Sequence, residues 1–452
     1  MRRAVAFAAL TATFLAAAAA SALELPFHKT RLKNGLTVIV HEDHTLPLTA
    51  VNLAYRVGSR DEETKRTGFA HLFEHLMFMG TTRVPPKMFD AWMETAGGAN
   101  NAWTSNDLTD YHEAGPSGLM QLFLWLEADR MQTLGKEIDK PKLDLQRDVV
   151  RNERRQQIEN QPYGKVELLL PELLYPEGHP YHHPVIGSHE DLESAAVDDV
   201  QRFFARFYVP SNASLVVAGD VKAPEVEALA EKYFGAIPAG ERPKRAEQGA
   251  PPRVGKVVRQ TMEDHVELAK LVIAFHSPGH LAEGDAELDL LAAVLSTGKS
   301  SRLYKALVYD KPLAQSVRAS QDNLELSSTF NVEIVARPGV SLDDLEKAVD
   351  AVLADAIKTP PSDEEIKRAK NTYETRFVDG LQSLTARAQL LNMYEIETGD
   401  PGFVNKDLGR YRAATAAGIL AWAQKTLTLG DRVVLRVVPQ GNSAASPKGG
   451  KK

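Results

Sequence analysis

Cysteine is absent from the 452 residues. That excludes disulfides, thiolate zinc sites, iron–sulfur clusters and a lipoprotein anchor, so any metal must be held by His, Asp or Glu. A basic excess is missing too: 53 Lys and Arg stand against 60 Asp and Glu, a formal charge of −7. That balance argues against a nucleic-acid binder, which needs a basic surface to neutralise phosphates. No phosphate-cradling glycine loop and no G-x-S-x-G nucleophile turn occurs, which removes two large enzyme classes. Beyond the first 22 residues no apolar run is long enough to cross a bilayer.

What is present describes a globular chain of more than one domain: 43% hydrophobic and 25% charged residues over 452 positions. Arg2 and Arg3 precede an Ala- and Leu-rich run over 4–20, and Ala20-Ser21-Ala22 gives a small-x-small pattern. Residues 1–22 therefore read as a cleavable export signal, cut after Ala22, with a periplasmic or secreted mature protein. An uncleaved anchor is the other reading, but an Ala-rich run of this length spans a bilayer poorly.

Two halves follow. In the first, β-rich stretches at 36–40, 50–55 and 215–220 alternate with helical patterns at 68–79, 88–94, 118–131 and 142–159. A Pro/Gly/charge-rich connector covers 235–255. The second half repeats the order, with strands at 270–276, 329–335 and 432–438 and helices at 286–295, 301–308, 342–357 and 363–378. The expectation is an α+β protein of two similar domains, each a mainly antiparallel sheet covered by helices. Its divisions are a catalytic unit at 23–238, a linker at 239–255, a second unit at 256–440 and a disordered tail at 441–452.

One segment carries chemistry. Phe69, Leu72, Phe73, Leu76 and Met77 form one apolar helix face. His71, Glu74 and His75 then fall within about 100° of one another on the opposite face. Two imidazoles four apart can share a cation, with a carboxylate between them; this H-x-x-E-H order inverts H-E-x-x-H. A merely solvated polar stripe fits badly on so apolar a helix. A catalytic zinc site needs a third protein ligand from elsewhere. The charged helix at 142–159 offers Glu153 and Glu159, and spacing does not choose between them.

Further landmarks complete a resemblance. They are Gly97-Gly98-Ala99-Asn100-Asn101-Ala102-Trp103-Thr104, the stretch 149–153, His179-Pro180-Tyr181 with Ile186-Gly187, and Tyr208-Val209-Pro210-Ser211-Asn212 before Gly219-Asp220. With the helix motif, they are similar to the pitrilysin, insulin-degrading-enzyme and mitochondrial-processing-peptidase family, in its short bacterial branch. The resemblance implies one Zn2+ per chain on His71, His75 and Glu153, with Glu74 as general base in peptide hydrolysis. It also implies that an extended peptide or unfolded protein pairs as a strand beside Asn101 and Ala102.

Two departures stand out. Relatives carry a Glu seven residues before the ligand Glu; here Gln146 removes one charge near the metal. Self-sufficient members have an Arg and a Tyr, seven apart, in the second half, and those positions read Val308 and Gln315. Val308 cannot stabilise an oxyanion. The resemblance therefore implies a heterodimer with a paralogous subunit lacking the zinc motif; a homodimer is the alternative. A different class remains open, a non-catalytic binding or assembly subunit with a vestigial zinc site. His179, His182, His183 and His189 do not share a helix face and read as structural. Trp92, Trp103, Trp125 and Trp422 read as core or domain contacts.

Overall fold

The computed structural model describes residues 23–245, 247 and 252–441. The expected signal peptide and tail lie outside this range, apart from Gly441. Eleven strands form two sheets. The first takes β1 (His28–Arg31), β2 (Thr37–Glu42), β3 (Leu48–Tyr55), β4 (Ala99–Thr104), β5 (Thr109–Pro116) and β6 (Ala213–Gly219) in the order β1-β2-β6-β3-β5-β4. The second takes β7 (Val257–Asp264), β8 (Lys270–Ser277), β9 (Ala314–Gln321), β10 (Ser328–Ala336) and β11 (Arg432–Pro439) in the order β7-β11-β8-β10-β9.

Apart from β1 the two orders are the same. In each sheet a single parallel pair, β2 with β6 and β7 with β11, sits among antiparallel ones. The helices repeat as well. In the first half they are α1 (Phe69–Leu76), α2 (Met88–Ala96), α3 (Met120–Glu137), α4 (Lys140–Glu153), α5 (Lys165–Leu174), α6 (His189–Ser194), α7 (Val197–Phe207) and α8 (Ala223–Phe234). In the second half they are α9 (Asp285–Ser296), α10 (Arg302–Tyr304), α11 (Leu342–Ala356), α12 (Asp363–Gly380), α13 (Leu384–Thr398), α14 (Val404–Ala413) and α15 (Ala416–Thr426).

Alternation along the strands sorts the cores. Val38, Val40, Val51, Leu53, Leu215 and Val217 face α1, α3 and α7, while Ile39, Ala50, Val216 and Ala218 face the other way. That second face is covered by α13, through Ala388, Leu391 and Tyr394. In return α5 of the first half lays Leu174 and Tyr175 on Ala274 and Val433 of the second sheet. The halves thus exchange a helix.

A buried ionic knot ties them further. Arg60 pairs with Asp107 and Glu325, and Arg245 of the connector pairs with Asp61 and Glu325. The connector is pinned at Arg245. Two helices also end differently from expectation. The one at 142–159 is α-helical to Glu153 and closes in a wider π turn, Arg154–Glu159. The one at 301–308 has a single α turn before the π turn Lys305–Asp310.

Candidate metal centre

The helix carrying the motif is held at its start by groups distant in sequence. Its N-cap, Gly68, has φ +86° and no side chain to cap with. Glu62 takes that role: its carboxylate accepts from the N–H of Gly68 at 2.9 Å and of Ala70 at 2.8 Å. Burial drives the Glu62 carboxyl well above the usual range. Gly187 crosses so close that a Cβ there would lie 2.4 Å from the Gly68 Cα. Both glycines have positive φ, so the crossing demands glycine on each side.

Phe69, Leu72, Phe73 and Leu76 are buried, turning His71, Glu74 and His75 away from the core towards α4. There Glu153, the last α-helical residue of α4, meets them. Its Oε2 is 3.1 Å from His75 Nε2 and 3.9 Å from His71 Nε2. One donor atom from each of the three lies within 4.8 Å of the other two, the one such group among the described residues. Glu159 is elsewhere, bonded to Arg154 and His189.

The protonation states suit a divalent ion. Burial, then the neighbouring His75, hold His71 well below its ordinary value, which keeps the imidazole neutral. The hydrogen bond from His75 pulls Glu153 down, keeping it ionised. Two imidazoles and a carboxylate, with one position left for water, match a catalytic zinc set. Glu74 is not in the cluster; burial raises its carboxyl, against a 2.6 Å hydrogen bond from the Thr104 hydroxyl.

A groove of about 650 Å³ runs alongside, lined by Glu74, His75, Asn101, Ala102, Gln146 and Val149 among others. One wall is β4, the outermost strand of its sheet. Asn100, Ala102 and Thr104 face inward while Asn101 and Trp103 face out, so Asn101 and Ala102 share the strand and not a face. Gln146 donates to the Met79 sulfur at 2.7 Å. Val308 is half-buried in the π turn of the second half and Gln315 is exposed on β9.

The four segment histidines spread among separate partners: His182 bonds the Tyr175 carbonyl, His183 sits near Glu62, His189 bonds Glu159, and His179 stacks on Tyr175. Trp103 departs from the core reading, being 39% exposed, because it lies on the outward face of the edge strand β4. Thr104 stood among the landmarks with no role. Two-residue alternation from Ala102 would have placed its hydroxyl on the Glu74 side.

A duplicated sheet-and-helix unit whose first copy sets an inverted H-x-x-E-H helix against a carboxylate defines a metallopeptidase type of fold. Comparison with known proteins agrees. Residues 37–181 match the family described as Insulinase (Peptidase family M16), and residues 194–373 match Peptidase M16 inactive domain. The zinc protease PqqE of Helicobacter pylori is 30% identical over 391 residues, 84% of this chain and 86% of that one. A crystal structure of a protease from Helicobacter pylori superposes with a TM-score of 0.83 at 25% identity, over 92% of this chain and 100% of that one. The periplasmic protease PqqL from Escherichia coli has the same fold, with a TM-score of 0.74 at 20% identity, over 92% of this chain and 48% of its own. The chain belongs to peptidase family M16.

Proposed function

We propose that the protein is a zinc-dependent endopeptidase acting on small or unfolded polypeptides. The observation that carries this reading is the convergence of His71, His75 and Glu153 within 4.8 Å, beside Glu74. Bound zinc supplies Lewis acidity, acidifying water towards neutral pH and polarising a peptide carbonyl. Glu74 takes the proton from the attacking water and returns it to the leaving amine. Thr104 fixes the carboxylate that does this. The free edge of β4, at Asn101 and Ala102, receives the peptide as an added strand and sets its carbonyl by the groove.

The catalytic unit is 23–238 and the second unit 256–440, with 239–255 between them. Val308 offers no oxyanion donor and Gln315 carries no phenol, so a paralogous subunit lacking the zinc motif supplies the missing pair in a heterodimer. Export follows from residues 1–22 and accords with a periplasmic relative in fold. The same two positions favour a second reading, a non-catalytic assembly subunit with a vestigial site.

The test is cleavage of a quenched, unstructured peptide library by zinc-loaded residues 23–452, beside Glu74→Gln. Cleavage that falls about 100-fold or more in the variant, with zinc retained, supports the peptidase. Silence of both chains, even after the paralogue is added, overturns it in favour of the assembly subunit.

A further inference from the structure

A second polar cavity, of about 290 Å³, lies under the last turn of α13, on the sheet face opposite α1. Three arginines line it: Arg31 at the end of β1, Arg56 after β3 and Arg242 in the connector. Its acids are Glu395 and Glu397, and both are already spent. Glu395 pairs with Lys29 and Glu397 with His280 at 2.7 Å. Burial opposes protonation of His280, but Glu397 outweighs it and raises the ring to about 9, so that pair is neutral overall. Arg56 has Glu325 at 3.0 Å.

Arg31 and Arg242 have no carboxylate within salt-bridge distance among the described residues, and every Asp and Glu of the chain is described. The Arg31 Nε donates only to the Gly35 carbonyl. Arg242 feels burial first and then the charges of Arg56, Arg31 and Arg245, which together depress its ordinary value against the weaker attraction of Glu395. Two donors in the same wall are buried without partners, the Arg56 Nε and the hydroxyl of Ser214, a residue only 3% exposed. The negative end of α13 is masked, since Lys29 bonds the Gly399 carbonyl at 2.8 Å.

We propose that this cavity binds a small multivalent oxyanion of the phosphate type, held by Arg31, Arg56, Arg242 and the Ser214 hydroxyl. Two guanidiniums without a salt-bridge partner and two idle buried donors are what such an ion satisfies at once. The ion bridges the connector and the first sheet.

The measurement is equilibrium dialysis of inorganic phosphate against residues 23–452, at ionic strength fixed with chloride. One saturable site per chain is expected, with Kd raised about tenfold or more by Arg242→Ala or Arg31→Ala and less by Arg242→Lys. Both arginines are exposed, and melting curves confirm that the variants fold. Phenyl phosphate in place of phosphate distinguishes a phosphoryl group on a larger molecule from the free ion. Unsaturable uptake, or an unchanged Kd in both Ala variants, overturns the proposal. So does binding that vanishes with His71→Ala, which would put the anion at the metal centre.

Discussion

Thr104 is the residue through which the edge strand reaches Glu74, the proposed general base, by a 2.6 Å bond. A hydrogen bond to a charged group contributes about 1.5–3 kcal/mol. Removing it frees a carboxylate that must otherwise hold one orientation while a proton moves. Thr104→Val should therefore lower kcat about tenfold or more with little change in KM, and Thr104→Ser should restore it. Steady-state kinetics on one fluorogenic peptide would decide. A different residue reports through stability. Burial and the nearby Asp285 charge push Asp289 up to about 7, despite the hydroxyl of Tyr411 at 2.6 Å. An acid raised in the folded state stabilises fully below its unfolded value near 3.8 and loses that contribution as pH climbs through the folded value. Asp289→Asn stays neutral throughout. Its stabilisation relative to wild type should grow by about 2 kcal/mol between about pH 5 and pH 8, read from urea midpoints.

At the scale of elements, the exchanged helix α13 makes a sharper demand than any strand. Leu391 is fully buried between α13 and the first sheet. Leu391→Ala should cost about 2–5 kcal/mol, although the residue belongs to the second half and the sheet to the first. Thermal melts compare it with an exposed control, Leu46→Ala. How far such elements were legible varied with their burial pattern. The motif helix was readable because Phe69, Leu72, Phe73 and Leu76 fall on one stripe, with the two histidines opposite. Strands such as β6 were readable because they are buried throughout. The helix expected at 363–378 runs two residues further, to Gly380. By contrast β4, spelled Ala-Asn-Asn-Ala-Trp-Thr, has weak strand propensity and one neighbour to pair with. Helix α13 has apolar residues scattered round it because it faces one half on one side and the other half beyond, so no single stripe marks it. Only Leu143 and Val150 of α4 are buried. That is why Glu153 and Glu159 could not be told apart before the fold placed one beside His75 and turned the other to Arg154.

For the whole molecule, helix exchange decides how the protein unfolds. Neither half covers its own sheet: without α13, the face bearing Ile39, Ala50, Val216 and Ala218 would lie open, and without α5 the second sheet would expose Ala274 and Val433. An apolar face of that kind is the unit of folding stability, at about 25 cal/mol per Å² removed from water. The polar seam acts in the same direction, since Arg60, with its side chain 2% exposed, is neutralised from both halves by Asp107 and Glu325. Separating the halves would take Glu325 away from that buried cation. Calorimetry of residues 23–452 should accordingly give one transition whose van't Hoff and calorimetric enthalpies agree. Residues 23–238 expressed alone should aggregate or melt well below the full chain. Two resolved transitions, or a soluble first half of equal stability, would show that the exchanged helices dock on domains that already stand by themselves. The loss at Leu391→Ala would then fall on the second transition alone, whereas mutual completion requires the single transition to move as a whole.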